Sequence, residues 1–324
     1  KLENYHFYRE DWDGLEELRA SFTWQVPDTF NIAEYACDRW ADDRGRVALF
    51  WEQADGEGGT TTFREFSRAS NRLANYLESR GVERGDRVAV HGAQKRETLL
   101  TYLAAWKLGA VAVPLSTLFG QDGLQYRLQD SGTTAFVADV SAMDSFRAAK
   151  PGLDVLETVL TVDVDERDGD ELDFWDAISD HSPEFDTVET DPEENAVIYY
   201  TSGTTGHPKG VVVPHQYCLG MLPSFLTTHA NNEVNGVFWM PSEWSWVIFF
   251  GEVISSLFYG KPSVAHARES FDPAKAFEII EEYGVTETFF PPSALRMMKA
   301  GVEDPADRYN LDTLQLIEVA GEPL

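Results

Sequence analysis

The feature that most constrains the fold is a regular alternation of short apolar runs with segments of helical period, beginning near Arg87. Runs such as RVAVHG, AVAVPL and TAFVADV are separated by RETLLTYLAAWKLG and GLQYRLQDSG, and the pattern returns between ENAVIYYTSG and LQLIEVAG. Strands that alternate with helices pair in parallel, because each helix carries the chain back along the sheet. The sequence therefore predicts an α/β fold of two similar halves, with largely parallel sheets flanked by helices.

Three segments are expected along the chain. Residues 1–86 would form an N-terminal segment with a hairpin and a helix, and residues 87–190 the first α/β half. Residues 191–324 would form the second half, which carries a glycine-rich loop. Acidic residues, serine and proline dominate residues 163–194, which predicts a surface connection between the two halves.

Local signals support particular elements of this scheme. Thr62 and Glu65 form a capping-box pattern that predicts a helix start, and Asp272 followed by Pro273 predicts another. A run of glycines predicts the turn of the hairpin that precedes Thr62: Gly56, Gly58 and Gly59.

The charge balance limits the partners of the chain. Lysine and arginine number 26 against 55 aspartates and glutamates, a formal net charge of −29. Such a field repels nucleic acid phosphates and anionic membranes, so neither is an expected partner. Because the carboxylates are dispersed, they predict a strongly hydrated surface of the halophilic kind, suited to a salt-loaded cytoplasm.

Cysteine usage and hydropathy predict a cytoplasmic protein. Cys37 and Cys218 are far apart and lack CxxC spacing, so neither a disulfide framework nor a cysteine-based zinc site is expected. The longest uncharged run, residues 210–232, is broken by prolines and does not predict a transmembrane helix. The first residues, KLENYHFYREDWDG, lack an apolar signal core.

The stretch YYTSGTTGHPKGVVVPH, residues 199–215, carries the clearest chemistry. Glycines allow a backbone to approach a ligand closely, hydroxyls and N–H groups can surround an anion, and Lys209 adds a positive charge. A Walker phosphate loop does not fit, because Pro208 replaces its second glycine and Gly210 its magnesium-binding hydroxyl. A run of valines that predicts a strand also stands where that loop requires a helix.

The order YTSGTTGxPKG resembles the phosphate-loop signature of the adenylate-forming superfamily. Resemblance to the acetyl-CoA and medium-chain acyl-CoA synthetase branch extends over nearly the whole chain, through LFGQDGLQYRLQDS, FDPAKAFEII and VAGEPL. It implies an AMP-forming ligase that uses ATP and Mg²⁺ to activate a short- or medium-chain acid and then transfers it to CoA, with a place in fatty acid metabolism. Thr201 and Lys209 would be catalytic, and the pyrophosphate end of ATP would be held by Thr201, Ser202, Gly203, Thr204, Thr205, Gly206 and Lys209.

Two further segments take roles by the same resemblance. Within VFWMPSEWSWVIFFGEV, Trp246, Val247 and Ile248 would line the pocket for the tail of the acid, together with Ala320. The family pattern has aspartate and glycine where this chain has Glu243 and Ser245, so the local backbone is expected to differ. The turn after the last predicted strand would lie beside adenine, through Gly321, Glu322 and Pro323.

Histidines receive no catalytic assignment. His207 occupies a variable loop position, and His215 is expected to cap or pack the next helix. The histidines show no metal-ligand spacing, so no metal-binding set is expected within the chain, and the main magnesium ligand would follow residue 324.

The resemblance further implies that this chain corresponds to the N-terminal, ATP- and acid-binding portion of a synthetase. Further blocks and a mobile C-terminal domain would follow, so the chain alone is expected to be inactive. Two alternatives stay open: an adenylation domain that loads a carrier protein, and a non-catalytic nucleotide-binding remnant. The identity of the acid is also open.

Overall fold

The structure is a computed structural model, and it describes residues 2–201, 206–229, 236–268 and 270–323. The predicted α/β architecture is confirmed, with two parallel-rich sheets flanked by helices. The strands are β1 (Val47–Glu52), β2 (Gly58–Thr62), β3 (Arg87–His91), β4 (Val111–Leu115), β5 (Thr133–Asp139), β6 (Thr158–Val162), β7 (Glu171–Asp173), β8 (Asn195–Thr201), β9 (Lys209–Pro214), β10 (Phe238–Trp239), β11 (Ser263–His266), β12 (Glu287–Phe290) and β13 (Leu316–Val319).

The helices between these strands are mostly short. They are α1 (Leu15–Ser21), α2 (Ile32–Ala36), α3 (Phe63–Ser79), α4 (Arg96–Lys107), α5 (Gln121–Ser131), α6 (Met143–Ala149), α7 (Phe174–Ser179), α8 (Tyr217–Thr228), α9 (Ser255–Phe258), α10 (Pro273–Glu282) and α11 (Pro292–Gly301). A single-turn π-helix, Phe250–Ile254, runs directly into α9. Within the part of the chain that the structure describes, no helix has both the length and the apolar character to cross a bilayer.

Each sheet is parallel except for one edge strand. The seven-stranded sheet has the order β7-β6-β5-β3-β4-β8-β9, and β8 pairs antiparallel with β9. The six-stranded sheet has the order β13-β12-β10-β11-β1-β2, and β1 and β2 pair as an antiparallel hairpin. The carboxyl ends of parallel strands are where open α/β sheets bind ligands.

Sheet membership does not follow the expected segment boundaries. The N-terminal hairpin joins the six-stranded sheet, where β1 pairs with β11. Strands β8 and β9, from the expected second half, join the seven-stranded sheet, where Ala112 pairs with Val197. The boundaries at residues 86 and 190 therefore do not separate the sheets, and the division into 1–86, 87–190 and 191–324 stays a prediction.

The acidic segment is more than the expected surface connection. It contributes the edge strand β7 and the helix α7, whose side chains Phe174 and Ile178 are buried in the core. The expectation of a surface connection was wrong for this part of the segment. Two apolar residues on one face suffice to pack a short amphipathic helix against the core, even where most neighbours in sequence are charged.

The local start signals are confirmed. Thr62 Oγ1 accepts from the Glu65 amide at 3.2 Å, and Glu65 Oε2 accepts from the Thr62 amide at 2.7 Å, which completes the capping box of α3. Asp272 Oδ1 accepts from the Ala274 amide at 2.9 Å and caps α10. In the hairpin, Gly56 has a φ of +88°, a conformation that glycine adopts without a steric penalty.

A buried lysine stabilises the core beneath the seven-stranded sheet. Helix α4 is buried along nearly its whole length, and its last residue is Lys107. The Lys107 ammonium donates to Asp38 Oδ1 at 2.7 Å, to Asn71 Oδ1 at 2.6 Å and to the Ser67 carbonyl at 3.3 Å. Three acceptors match its three protons, which is the condition for burying a charge without a large penalty.

Lys107→Met should lower the free energy of unfolding by about 3 kcal/mol, because Asp38 and the other acceptors then lose their partner. Lys150→Met is the matched control, since Lys150 pairs with Asp170 at the surface and such pairs contribute less than about 1 kcal/mol. Urea denaturation of both variants measures the difference. Equal losses would contradict a special role for the buried lysine.

Candidate active site

Strands β8 and β9 hold the two ends of the glycine–hydroxyl loop. Thr201, the last residue of β8, pairs across the antiparallel ladder with Lys209, the first residue of β9, and both are exposed. Side chains of directly opposed residues lie on the same face of a sheet. Four loop residues lie outside the described part of the chain: Ser202, Gly203, Thr204 and Thr205. The hairpin therefore places a hydroxyl and an ammonium side by side where the loop begins and ends.

The segment after the loop distinguishes it from a Walker site. Lys209 opens a strand, as predicted, and the next helix begins only at Tyr217. A Walker loop instead leads into the N-terminus of a helix. Gly210 is required by close packing, because a Cβ there would lie 2.9 Å from Ile198 Cγ2 on β8.

The end of the loop is anchored to α5 of the seven-stranded sheet. The His207 ring stacks on Tyr126 with centroids 4.9 Å apart and an interplanar angle of 18°. Tyr126 also donates its hydroxyl to the Pro208 carbonyl at 3.0 Å. His207, which has no role in the sequence analysis, thus packs the end of the loop against a helix that precedes it by about eighty residues.

The tryptophan-rich segment is held by a close crossing with the β3–α4 loop. The Trp244 amide donates to the Gly92 carbonyl at 2.7 Å, and Tyr102 donates its hydroxyl to the Trp244 carbonyl at 2.7 Å. A Cβ at position 92 would overlap the backbone of Ser245, so only glycine allows this approach. Trp244 is fully buried and fixes the direction of the residues that follow it.

The two departures from the family pattern are partners of each other. Ser245 Oγ donates to Glu243 Oε2 at 3.0 Å, and the other carboxylate oxygen, Oε1, accepts from the hydroxyl and amide of Thr117. The glutamate reaches Thr117 in the loop after β4, and the serine orients it. Ser245 thus makes a hydrogen bond to Glu243 that a glycine at this position could not make.

The three residues assigned to the acid pocket differ in exposure. Trp246 is 56% exposed and Val247 46%, whereas Ile248 is partly buried against the core. Large apolar side chains anchored by a buried neighbour and yet open to solvent are typical of a surface that binds a ligand or another chain.

A crevice of about 1040 Å³ opens between the carboxyl ends of the two sheets. Lys95 lines it and forms ion pairs with Asp139 and Asp163, and Arg268 and Glu243 line the opposite side. Of the sequence-predicted site residues that the structure describes, none lines this crevice. The predicted site residues thus lie on separate elements: the ends of the loop on β8 and β9, the acid segment after β10 and the terminal turn after β13.

The terminal turn caps a helix. Strand β13 ends at Val319, Ala320 is exposed, and Gly321 adopts a φ of +102° that only glycine tolerates well. Glu322 Oε1 accepts from the Ser293 amide at 2.8 Å, in the first turn of α11, and Oε2 pairs with Arg296 at 2.9 Å. The hydrogen bond with Arg296 lowers the pKa of Glu322. The two contacts of Glu322 hold the terminal turn against α11.

Comparison with known proteins decides the family. A family model described as AMP-binding enzyme matches residues 37–324. The chain belongs to the AMP-binding enzyme family. The resemblance read from the sequence is therefore confirmed.

Relatives of this AMP-binding enzyme include acyl-coenzyme A synthetases. The chain is 33% identical to an acetyl-coenzyme A synthetase of Methanothrix thermoacetophila, over 93% of this chain and 49% of that protein. It is 31% identical to a mitochondrial acyl-coenzyme A synthetase of Rattus norvegicus, over 85% and 49%. The chain spans about half the length of these curated relatives, in agreement with an N-terminal portion of the family.

A solved structure supports the same assignment. A Brucella canis acyl-CoA synthetase aligns with a TM-score of 0.85 and 26% identity, covering 97% of this chain and 58% of that one. An anthranilate CoA ligase in complex with anthranoyl-AMP shares the fold, with a TM-score of 0.83 at 21% identity over 92% and 56%.

The buried histidine after the loop has a packing role, and its ring contacts α2, whereas contact with the next helix was expected. His215 is fully buried, and its Nδ1 accepts from the Ile32 amide at 3.3 Å, at the start of α2. Burial lowers the pKa of His215 to about 4, so the imidazole is neutral near pH 7.

One group of possible metal ligands was not predicted from the sequence. His229, Glu252 and Glu318 bring ligand-type atoms within 4.8 Å of one another, although no metal-binding set was expected. The residues are too far apart in sequence for their spacing to reveal them, and only the packing of α8 against the six-stranded sheet brings them together.

The neutral state of His215 should make the protein less stable at low pH. The unfolded chain binds a proton to this residue near pH 6.5 and the folded chain only near pH 4, so the unfolding free energy falls as pH drops through that interval, by at most about 3 kcal/mol. His215→Gln should flatten this part of the urea-denaturation profile. An NMR titration of the His215 ring near pH 6.5 in the folded protein would contradict the expectation.

Proposed function

We propose that the complete protein is an AMP-forming carboxylic acid–CoA ligase, and that this chain supplies its ATP- and acid-binding part. The observation that carries the proposal is the pairing of Thr201 with Lys209 at the two ends of the glycine–hydroxyl loop. This places a hydrogen-bond donor and a positive charge at one point, which suits the pyrophosphate end of ATP. Membership of the AMP-binding enzyme family supports it.

The proposed reaction has two steps. An oxygen of the substrate carboxylate attacks the α-phosphorus of ATP, the bond to the bridging oxygen breaks, and pyrophosphate leaves with an acyl-adenylate formed. The thiolate of CoA then attacks the acyl carbon and AMP leaves, which yields the thioester. Lys209 and the loop amides would stabilise the charge that grows on the departing pyrophosphate, the general role of such donors in phosphoryl chemistry.

The residues at the loop suit phosphate better than a metal ion. Lys209 offers an ammonium, which attracts phosphate and repels a cation, whereas Mg²⁺ is bound chiefly through carboxylate, phosphate and water oxygens. These loop residues are therefore proposed to contact phosphate and not the metal ion. When bound, Mg²⁺ would neutralise phosphate charge beside Lys209.

The acid and the nucleotide base are assigned to the other two elements. Trp246, Val247 and Ile248 would enclose the tail of the acid, with Ala320 facing it across the site. This is supported by their apolar exposed surfaces and by the firm anchoring of Trp244. The turn Gly321–Pro323 would lie beside adenine, and its attachment to α11 through Arg296 supports a fixed position.

Lys209→Ala in the complete protein should lower kcat/KM for acid-dependent ATP–pyrophosphate exchange by about 10²-fold, since one preorganised donor to the leaving group is lost. Lys150→Ala, which removes a surface lysine far along the chain, is the control and should leave exchange intact.

Four outcomes bear on this proposal. An unchanged kcat/KM in Lys209→Ala would remove the role of that lysine. Acid-dependent exchange with transfer to a carrier-protein thiol, and not to CoA, would favour the carrier-loading alternative. Nucleotide binding without any acid-dependent exchange in the complete protein would favour the non-catalytic alternative. Rapid ATP–pyrophosphate exchange by residues 1–324 alone would contradict the proposal that this chain supplies only the ATP- and acid-binding part.

The chain-length preference should respond to Ile248. Ile248→Ala enlarges the proposed pocket, so kcat/KM for octanoate and decanoate relative to acetate should rise about tenfold, the usual effect of one or two methylenes in an apolar pocket. A panel from acetate to decanoate, with benzoate, measures it in the complete protein. Val155→Ala, at an exposed aliphatic residue, is the control, and an identical profile in both variants would place the acid elsewhere.

A further inference from the structure

A polar cluster lies buried where α8, the π-helix and the six-stranded sheet meet. It consists of His229, Glu252, Lys261, Glu287 and Glu318, here called the His229 cluster. His229 follows the last turn of α8, Glu252 lies in the π-helix, and the other two glutamates lie on β12 and β13. π-Helical turns occur often at functional sites, because the extra residue redirects side chains.

The histidine ring stands between carboxylates on both sides. Its Nε2 lies 3.0 Å from Glu252 Oε2 and 3.3 Å from Glu318 Oε2. Its Nδ1 lies 3.2 Å from Glu287 Oε2, which also accepts from Lys261 at 2.7 Å. Donor atoms bound to one ion at about 2.0–2.2 Å lie roughly 3.0–3.5 Å apart, so the Nε2 side has the spacing of a coordination sphere.

The polar atoms of this cluster are not all satisfied. His229 is 1% exposed, and its Nδ1 faces Glu287 Oε2 at 3.2 Å without the geometry of a hydrogen bond to any described residue; Glu318 Oε2, 3.3 Å from Nε2, likewise makes none. Three carboxylates also face one lysine and one imidazole. A buried oxygen without a donor carries a substantial desolvation penalty, and buried charges in proteins are paired or bind metals.

We propose that the His229 cluster binds one divalent transition-metal ion, Zn²⁺ by preference, through His229 Nε2 and one oxygen each of Glu252 and Glu318. Water fills the remaining position on the side of Glu318, the most exposed of the three carboxylates. Any proton on Nε2 leaves to solvent on binding, and the one on Nδ1 points to Glu287. A carboxylate behind a ligating histidine is the arrangement that fixes such rings in metalloproteins.

The chemistry of the ligand set favours Zn²⁺ over Mg²⁺ and Ca²⁺. An imidazole nitrogen with two carboxylates suits a borderline metal, whereas the hard cations take all-oxygen sites with more ligands. The ion would link α8, the π-helix and β13. Because Glu318 lies two residues before Ala320, the ion would also hold the strand that leads to the terminal turn.

A metal must compete with a proton for the same nitrogen. Burial lowers the pKa of His229, but the carboxylates of Glu252, Glu287 and Glu318 outweigh burial and raise it to about 10. The alternative state of the cluster therefore has a protonated His229 ring and no metal ion. In that state the protein would not retain Zn²⁺.

Equilibrium dialysis of chelator-treated protein against Zn²⁺, in excess Mg²⁺ to occupy surface carboxylates, tests the proposal. One equivalent of Zn²⁺ should be retained, and its binding should raise Tm by several degrees, since a ligand that binds only the folded state stabilises it. Glu318→Gln and His229→Gln should each weaken Zn²⁺ binding at least tenfold. Glu52→Gln is the matched control, a buried glutamate paired with Lys275 outside the cluster, and it should retain the ion.

Two results would overturn the proposal: no Zn²⁺-dependent rise in Tm of the unaltered chain, or equal affinity in Glu318→Gln and Glu52→Gln. If both cluster variants fail to fold, the Co²⁺ form of the unaltered chain decides. Bound Co²⁺ with a nitrogen ligand in a four- or five-coordinate site gives clear visible absorption, and a spectrum like that of hexa-aqua Co²⁺ would contradict the site. None of these readouts depends on ligase activity, so they fail or succeed independently of the proposed function.

Discussion

The contact on which the arrangement of the site depends is the crossing of two backbones at Gly92. Its carbonyl accepts from the Trp244 amide at 2.7 Å, and any side chain at position 92 would overlap Ser245. Gln94, two residues on, donates to the carbonyls of Met240 and Ser242 at 2.9 and 2.8 Å. The loop after β3 thus binds the segment after β10 through one main-chain hydrogen bond and two from the Gln94 side chain, which fixes one sheet relative to the other at their ligand-binding ends.

This crossing explains how exposed apolar residues can be positioned without being buried themselves. Trp244 fills the core and Glu243 reaches Thr117, so the chain on both sides of Ser245 is fixed before it arrives at Trp246. Solvent-exposed side chains gain conformational entropy by moving. Rigid neighbouring residues restrict that movement and hold the exposed side chains in position. The same logic applies to the loop end, where Tyr126 holds His207 and Pro208.

Features that depend on neighbours in sequence could be predicted, and features that depend on distant packing could not. The capping box at Thr62, the N-cap at Asp272 and the strand after Lys209 all follow from local residue order. The crossover of β8 and β9 into the seven-stranded sheet does not, because strand pairing depends on which apolar faces meet after collapse. The family signature identifies the loop, but only the register shows Thr201 opposite Lys209.

The acidic composition gives buried cations a particular importance in this fold. Basic residues number 26 against 55 acidic ones, so the chain has few positive charges with which to neutralise carboxylates that become buried. Exposed carboxylates are stabilised by water and salt, and they need no partner. A carboxylate in the interior needs one, because an unpaired buried charge destabilises the fold by several kcal/mol. Lys107 satisfies this need beside Asp38, and Lys261 beside Glu287. Among the described residues, the ring of His229 is the cationic partner that Glu252 and Glu318 share, so a proton or a metal ion completes the balance there.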